Sequence, residues 1–422
     1  MADLTTDCAG IKSPNPFWIA SGPPANTAYQ VMRAFDAGWG GAVWKTLGEP
    51  IRNVCSRLAG LDHGPQRMIG LNNIELITDR PLDVNLKEIR EVKKKYPDHA
   101  LIISLMVESR REAWHEIMKQ VQDTGADGVE LNFGCPHGMS ERGMGAAMGQ
   151  VPEYTCMVTE WVKEVATIPV IVKLTPNVTS ITPPARAAVK GHADALSLIN
   201  TINSVMGVNL DTLVPHPNVN GMAAHGGYCG PAVKPIALNM VSELARDAEV
   251  RVPISGIGGI STWRDAAEFL LLGATTVQVC TAVMHYGYRI VEDMIDGLSN
   301  YLDEKGFASV HDIIGRSVAS VTDWGNLDLN YKTVARIDYS KCIQCNLCHV
   351  ACEDGAHQCI PLLEVEGRRL PVVDEAECVG CNLCYLVCPS PGCITMARLD
   401  DGSTPLTWRE LTSREPAPTS GD

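Results

Sequence analysis

The chain contains no run of about 18 consecutive apolar residues, so we expect no membrane-spanning helix. Its first residues also lack a basic stretch followed by an apolar one, so we expect no secretory signal. Positive charge is scarce, because 35 lysines and arginines stand against 49 aspartates and glutamates, a formal net charge of -14. That balance argues against a surface for nucleic acid or anionic membranes and favours a soluble protein.

The glycine-rich turn of dinucleotide-binding folds is also missing, since no G-x-G-x-x-G follows a strand-like segment. The nearest candidate, GMGAAMG at 143–149, fails at its third glycine and lies in a predicted loop. We therefore predict that this chain has no dinucleotide-binding half.

Cysteine, in contrast, is abundant, and eight of the sixteen cysteines form two runs of identical spacing. Each run reads C-x₂-C-x₂-C-x₃-C, and the members are Cys342, Cys345, Cys348 and Cys352, then Cys378, Cys381, Cys384 and Cys388. Bacterial ferredoxins with two [4Fe–4S] clusters have this spacing, and there the fourth cysteine of each run binds the other cluster. Zinc sites or disulfides are the alternatives, but two identical tandem runs favour iron–sulfur clusters and hence single-electron transfer.

Crossed ligation assigns Cys388 to the cluster of the first run and Cys352 to the cluster of the second. Six further cysteines are expected to be ordinary small apolar residues: Cys8, Cys55, Cys156, Cys229, Cys359 and Cys393. Clusters and thiols persist in a reducing compartment, so we expect a cytoplasmic protein.

Short apolar segments alternate with amphipathic, helix-like segments over most of the chain, a pattern typical of a parallel (β/α)₈ barrel. A doubly wound sheet is the alternative, but it needs fewer strands. The eight strand candidates are 16–21, 42–46, 101–107, 128–133, 169–174, 195–200, 252–258 and 276–282. We predict an α/β protein with a barrel domain at 1–335, a ferredoxin-like domain with two [4Fe–4S] clusters at 336–400, and a mobile tail at 401–422.

Several strand candidates end in polar residues, which a barrel of this kind directs to one active-site face. Two of these residues are lysines, Lys45 and Lys173, and such a pair of cations could stabilise an anionic reduced flavin. Gly258 and Gly259 follow the seventh strand, where barrels commonly bind phosphate. These features together favour bound FMN, which can convert between one-electron and two-electron transfer.

The segment 131–150 leaves a predicted strand, is rich in glycine and carries Cys135. A thiol is mostly protonated at neutral pH and can therefore donate a proton. Flanking glycines suggest that the segment is a lid over a substrate. A structural loop cysteine is the alternative.

Several motifs together resemble the dihydropyrimidine dehydrogenases, over about residues 4–400. The most specific is ELNFGCPHGMSERGMG (130–145), accompanied by VKLTPNVT (172–179), GGYCGPAVKPIAL (226–238), GIGGI (256–260) and the cysteine runs. The resemblance is to the FMN and iron–sulfur subunit of the bacterial NAD-dependent enzymes. In those enzymes a second subunit carries FAD and the NAD site.

The resemblance implies a role for each matching position. The lid cysteine, the proton donor and acceptor at C5 of the pyrimidine, corresponds to Cys135. Substrate-binding residues correspond to Asn73, Glu75, Asn132, Asn200 and Thr201. FMN contacts correspond to Ser21, Lys45, Thr46, Lys173, Gly230, Gly258, Gly259, Cys280 and Thr281. The implied partners are uracil, thymine, their dihydro forms and an FAD- and NAD-binding iron–sulfur subunit, hence a hetero-oligomer without nucleic acid or membrane.

One position departs from the family pattern, because a serine commonly precedes the lid cysteine and this chain has Gly134. Two other functions stay open. Dihydroorotate dehydrogenases share the barrel, the flavin and the lid cysteine, although the carboxylate of Glu75 would repel their carboxylated substrate. An electron-transfer subunit that binds flavin without acting on a substrate is the other.

Overall fold

Eight parallel strands close into a barrel in which each strand pairs with the next along the chain and the eighth pairs with the first. They are Phe17–Ile19, Gly41–Leu47, Ala100–Leu105, Gly128–Asn132, Val170–Lys173, Ala195–Leu198, Ile254–Ile257 and Thr276–Val279. Each overlaps one of the eight predicted strand segments. The predicted (β/α)₈ barrel is therefore confirmed.

This computed structural model describes residues 2–136, 143–355, 357–400 and 402–414. The chain divides into two units, Met1–Val321 and Thr322–Asp422, called the barrel unit and the cluster unit below.

Amphipathic helices follow the barrel strands and cover their outer faces. The main ones are Ala28–Ala37, Leu82–Lys95, Arg111–Gln122, Pro152–Lys163, Thr182–Lys190, Lys234–Arg246, Trp263–Leu271 and Ile290–Lys305. Arg111–Gln122 shows how they pack, because it buries Trp114, Ile117, Met118 and Val121, the stripe expected of a helix with 3.6 residues per turn. Two shorter helices, Ala146–Gly149 and Thr281–Tyr286, lie in the loops after the fourth and eighth strands.

The barrel interior changes from apolar to polar along the strands. Near the N-terminal ends, Val43, Ile102 and Ile171 pack with Cys8 and Ile11 of the hairpin Thr6–Cys8/Ile11–Ser13. Side chains on one face of a strand recur every second residue. The residues two positions further along are Lys45, Ser104 and Lys173, all of them buried. The strands therefore carry polar groups to the C-terminal end of the barrel.

A four-stranded antiparallel sheet is built from the loops after the second and sixth barrel strands. Its strands, in spatial order, are Ile202–Ser204, Gly226–Cys229, Gln66–Asn73 and Leu58–His63. A small hairpin, Val208–Asn209 with Val214–Pro215, extends the same region. These strands were not predicted, because their polar and glycine-rich sequences lack a clear alternation of apolar residues.

The cluster unit is a small fold around the cysteine runs. Its elements are the strand pair Thr333–Ile337/Ile394–Arg398, the hairpin Leu362–Val365/Arg368–Pro371, and the helices Leu347–Gly355, Leu383–Val387 and Trp408–Arg414. The unit begins at Thr322, ahead of the predicted start of the ferredoxin-like domain at 336. Within the predicted tail, the structure contains the helix Trp408–Arg414, capped by Thr407.

Within the described part of the chain, the helices are all too short or too polar to cross a membrane.

Candidate functional site

One cavity of about 1140 Å³ opens at the C-terminal ends of the barrel strands. All fifteen barrel residues that the sequence singled out line this cavity: Ser21, Lys45, Thr46, Asn73, Glu75, Asn132, Cys135, Lys173, Asn200, Thr201, Gly230, Gly258, Gly259, Cys280 and Thr281. Leu58, Leu71 and Tyr228 from the antiparallel sheet line it as well. Segments far apart in sequence therefore converge on a single site, although this convergence does not by itself assign their roles.

The two predicted lysines each contact a carboxylate. Lys45 and Lys173 are 4% and 5% exposed at the ends of the second and fifth strands. Lys45 pairs with Glu75, and Arg57 lies 3.3 Å from the other carboxylate oxygen of Glu75. Lys173 Nζ lies 3.4 Å from Glu130 Oε1. The lysines thus bring positive charge to the cavity wall, and acidic neighbours balance part of it.

Glu130 and Gln278 form a polar layer in the barrel that sequence reasoning missed. Glu130 is fully buried, and its Oε2 accepts hydrogen bonds from Ser197 Oγ (2.8 Å) and Gln278 Nε2 (2.9 Å). Gln278 Nε2 also lies 3.2 Å from Ser255 Oγ. The only sequence signal was a carboxylate inside an otherwise apolar strand. Because Lys173 Nζ lies near Glu130 Oε1, this polar layer holds the lysine in position.

Asparagines and hydroxyls form a second network across the cavity. Asn132 Nδ2 donates to Thr46 Oγ1 (3.1 Å), which also lies 3.3 Å from Ser21 Oγ. Asn132 Oδ1 accepts from Asn200 Nδ2 (2.9 Å), and Asn200 Oδ1 accepts from the Thr201 backbone N–H (2.8 Å). These bonds fix the orientation of both amides, so that their remaining donors and acceptors have defined directions.

Gly134 packs tightly against this network. A Cβ atom at Gly134 would lie 2.4 Å from Asn200 Cβ and 2.5 Å from Asn200 Nδ2. Such distances are far below van der Waals contact, so Asn200 can keep this position only if residue 134 is glycine. The departure from the family pattern noted in the sequence therefore has a steric reason in this chain.

Cys135 lies on the cavity wall next to the asparagines. It is 8% exposed and packs with Ile77, Met106 and Met144. Its carbonyl oxygen accepts a hydrogen bond from the Ala146 N–H (3.0 Å), which ties the two ends of the predicted lid together. Residues 137–142 of that predicted lid lie outside the described residues.

Glycines shape the part of the cavity after the seventh strand. Gly230, Gly258 and Gly259 have φ angles of 96°, 132° and 75°, in the left-handed region that favours glycine. A Cβ at Gly259 would lie 2.9 Å from the Lys234 backbone nitrogen and 3.0 Å from the Gly230 oxygen. Bare backbone is therefore required here, which lets a ligand approach the main chain closely.

Cys280 faces the same region. Burial raises the pKa of Cys280 to about 12, so that it remains a neutral thiol at physiological pH. It touches Met284, with 3.9 Å between the two sulfurs. A Cβ atom at Gly22 would lie 2.7 Å from Cys280 Sγ, so this part of the wall is closely packed.

The cluster unit contains a cavity of about 370 Å³ lined by Cys352, Cys378, Cys381 and Cys384. Three of these cysteines belong to the second run and one to the first, which is the arrangement that crossed ligation requires. At the equivalent places in the two runs, Asn346 and Asn382 bury a side-chain oxygen that finds no hydrogen-bond partner within the described ranges. The cysteines, as thiolates, are the ligands that [4Fe–4S] clusters require.

Comparison with known proteins identifies both parts of the chain. Residues 3–302 match the dihydroorotate dehydrogenase family, and residues 335–396 match the 4Fe-4S dicluster domain. The first match covers more than half of the chain. The chain belongs to the dihydroorotate dehydrogenase family.

Within this family, several relatives bear on the substrate. The chain is 44% identical over 358 residues to the NAD-dependent dihydropyrimidine dehydrogenase subunit PreA of Escherichia coli (strain K12), covering 84% of this chain and 87% of that one. It is 45% identical over 333 residues to the chloroplastic dihydropyrimidine dehydrogenase (NADP(+)) of Arabidopsis thaliana, covering 76% and 78%. It is also 36% identical over 318 residues to the catalytic subunit of dihydroorotate dehydrogenase B (NAD(+)) of Thermococcus kodakarensis, covering 75% and 98%. The resemblance to the dihydropyrimidine dehydrogenases is confirmed.

Members of the dihydroorotate dehydrogenase family bind FMN, and the residues of this cavity fit it. Two buried lysines and a stretch of glycine backbone suit the flavin ring and a phosphate respectively. Gln278, which lines the cavity, buries an Oε1 atom with no hydrogen-bond partner among the described residues. FMN and [4Fe–4S] clusters are thus the cofactors of this chain.

The structure shows that the charge of Glu75 is balanced by its neighbours. Glu75 was expected to repel a carboxylated substrate. In the structure, Lys45 and Arg57 both approach Glu75 and balance its charge. The charge of Glu75 therefore discriminates less strongly between dihydropyrimidines and carboxylated dihydroorotate than the sequence suggested.

Proposed function

We propose that this chain catalyses the reversible reduction of the C5–C6 double bond of uracil and thymine, as the catalytic subunit of a dihydropyrimidine dehydrogenase. The observation that carries the proposal is the single cavity in which Cys135, the asparagine network and the predicted FMN contacts converge. The two dihydropyrimidine dehydrogenase relatives support the substrate class.

The proposed substrate site matches the hydrogen-bonding pattern of a pyrimidine-2,4-dione. Such a ring offers two N–H donors and two carbonyl acceptors. Asn73, Asn132 and Asn200 can each donate and accept, Thr201 adds a hydroxyl, and Glu75 accepts from a ring N–H. The bonds between Asn132, Asn200 and the Thr201 backbone fix these groups before the substrate binds. A site of this kind rejects analogues that leave its polar groups without partners.

Cys135 is the proposed proton donor and acceptor at C5. When bound, FMN supplies or accepts the hydride at C6. In the direction of reduction, the Cys135 thiol gives its proton to C5 and becomes a thiolate, which solvent reprotonates. In the direction of oxidation, the thiolate removes the C5 proton. Apolar neighbours and the Ala146 hydrogen bond hold Cys135 on the cavity wall for this transfer.

The electrons are proposed to come from another subunit. The two cysteine runs would hold two [4Fe–4S] clusters, which supply single-electron transfer. With no G-x-G-x-x-G in the sequence, the NAD site and FAD are assigned to a partner in a hetero-oligomer. The name of the E. coli relative, an NAD-dependent subunit, supports this division. Exposed clusters and thiols also support a cytoplasmic location.

Dihydroorotate dehydrogenation is the second candidate. Lys45 and Arg57 beside Glu75 place cations where a substrate carboxylate could bind. The Thermococcus relative supports this candidate, but at 36% identity, against 44% and 45% for the two dihydropyrimidine dehydrogenase relatives. The cysteine runs fall in the part of the chain that the 4Fe-4S dicluster match explains.

Steady-state turnover of dihydrouracil and dihydroorotate by the purified holoprotein, with an artificial one-electron acceptor, tests the proposal. We expect turnover of dihydrouracil and none, or far less, of dihydroorotate. The variant Glu75→Ala should lose dihydrouracil turnover while keeping FMN, because it removes the carboxylate that accepts from a ring N–H. Preferential turnover of dihydroorotate would overturn the proposal, and turnover of neither substrate would favour an electron-transfer subunit.

A further inference from the structure

Two cysteines outside the predicted ligand sets, Cys359 and Cys393, lie in the cysteine-rich core of the cluster unit. They are only 4% and 3% exposed. The residues that follow them, Ile360 and Ile394, are equally buried and belong to the same core. The sequence suggested ordinary apolar positions, but the structure surrounds both cysteines with predicted cluster ligands.

The neighbours of the two cysteines correspond one to one. Cys359 Sγ lies 3.5 Å from Cys352 Sγ, and Cys359 lines the 370 Å³ cavity together with Cys352 and Cys378. Cys393 belongs to the same buried cluster, against which Cys388 and Cys342 pack. Cys352 and Cys378 are members of one predicted ligand set, and Cys388 and Cys342 are members of the other. Each of the two predicted clusters therefore has one additional thiol beside it.

The backbone shows the same correspondence. The Asp374 N–H donates to the carbonyl oxygen of Cys359 (2.8 Å), and the Asp338 N–H donates to that of Cys393 (2.7 Å). Asp374 stands four residues before Cys378, just as Asp338 stands four residues before Cys342. The two halves of the unit are thus internal repeats, and a thiol occurs at the equivalent place in both.

Binding of iron by the ligand cysteines determines which sulfur donates the hydrogen bond in these contacts. A cysteine bound to iron is a thiolate, which can accept a hydrogen bond but has no proton to give. The proton between Cys352 and Cys359 must then belong to Cys359. Cys359 also lines the 370 Å³ cavity, so its thiol faces the group that the cavity would hold.

We propose that Cys359 and Cys393 each donate an S–H hydrogen bond to a ligand sulfur of one cluster and thereby raise the reduction potential of that cluster. Hydrogen bonds to the sulfurs are among the factors that set the potential of an iron–sulfur cluster. The reduced cluster carries one more negative charge than the oxidised cluster, so it gains more from each donor. Cys393 Sγ also lies 3.6 Å from the Asp338 carbonyl oxygen, which competes for its proton. The effect at Cys393 is therefore the smaller of the two.

The test is a redox titration of the holoprotein, followed by electron paramagnetic resonance, together with iron analysis. The variants are Cys359→Ala, Cys359→Ser, Cys393→Ala and the double alanine variant. Cys156→Ala, a cysteine on the helix Pro152–Lys163 of the barrel unit, is the matched control.

Cys359→Ala should make reduction of one cluster about tenfold less favourable, a shift of about 59 mV to more negative potential for a one-electron couple. Cys359→Ser, which keeps a donor, should shift it less. Cys393→Ala should shift the other cluster, and the double variant should shift both. Every variant should keep about eight iron atoms per chain, as two [4Fe–4S] clusters require.

Two results would overturn the proposal. Unchanged potentials in both alanine variants would show that the thiols make no such bonds. Loss of about four iron atoms in Cys359→Ala, with Cys359→Ser also depleted, would make Cys359 a ligand. The test does not measure turnover of dihydropyrimidines, so its outcome is independent of the proposed substrate.

Discussion

Gly134 stands where the family pattern commonly has a serine, and the structure predicts what a serine at this position would do. A Cβ at residue 134 would lie 2.4 Å from Asn200 Cβ, so Gly134→Ser must displace Asn200 or the loop itself. Overpacking of this kind costs about 1–3 kcal/mol. It would also disturb the hydrogen bonds that Asn200 makes with Asn132 and with the Thr201 backbone, each worth about 1 kcal/mol.

The cost should appear in catalysis because Asn200 is proposed to orient the substrate. A loss of about 1.4 kcal/mol is a tenfold change, so kcat/KM for dihydrouracil should fall about tenfold to a hundredfold. FMN content should stay unchanged. Gly134→Ala carries the same Cβ and should have the same effect. Gly325→Ser is the control, because a Cβ there would meet the Arg409 side chain at 3.6 Å and Trp408 Cδ1 at 4.0 Å, which are ordinary van der Waals distances.

The comparison of serine with alanine separates two explanations. If a hydroxyl at residue 134 matters for proton relay, Gly134→Ser should match or exceed the natural chain while Gly134→Ala should be impaired. If sterics dominate, as the structure predicts, both variants should be impaired alike. Full activity of both would refute the reasoning, because Asn200 would then have room that the structure denies it.

Four further predictions concern the cavity, the helix after the seventh strand and the path of the electrons. Cys135→Ala should keep FMN and the clusters but lose about 10²-fold or more in turnover, the usual contribution of a positioned acid, and near-normal turnover would place the proton donor elsewhere. Glu130→Gln, which leaves Lys173 without its buried carboxylate, should make the bound flavin easier to reduce in a dye-coupled titration, whereas an unchanged flavin potential would remove Glu130 from the account. Burial raises the pKa of Asp265, but hydrogen bonds from Lys234 and from the Ser261 backbone outweigh burial, so the pKa of Asp265 is lowered on balance. Asp265→Asn should therefore lower the melting temperature at neutral pH. The difference in melting temperature between the variant and the natural chain should disappear as the pH falls below the lowered pKa. Isolated chain should reduce uracil with an artificial one-electron donor but not with NADH until a flavoprotein partner is added, and rapid NADH oxidation by the pure chain would contradict the two-subunit scheme.

The barrel could be predicted because its strands are short, apolar and separated by amphipathic helices. The convergence of these polar residues on one cavity could be predicted because barrels direct the polar ends of their strands to one face. Lys45, Asn132 and Lys173 are examples, and all three line the cavity. The family motifs then supplied roles that the pattern alone left open.

What the sequence could not show was how these residues pair. Glu75 looked like an isolated negative charge, and only the fold brings Lys45 and Arg57 against it. Gly134 looked like a missing hydroxyl, and only the position of Asn200 reveals a steric constraint. Contacts between residues far apart in sequence leave no periodic signal, so no local pattern could have predicted them.

The central claim is that dihydropyrimidines deliver electrons to the flavin in this cavity. An anaerobic absorption spectrum of the purified holoprotein, before and after addition of dihydrouracil, tests it most directly. The account predicts that dihydrouracil bleaches the flavin absorption, that Cys135→Ala slows the bleaching severely, and that dihydroorotate leaves the spectrum unchanged. A flavin that stays oxidised with dihydrouracil, in protein shown to contain FMN and both clusters, would contradict the account.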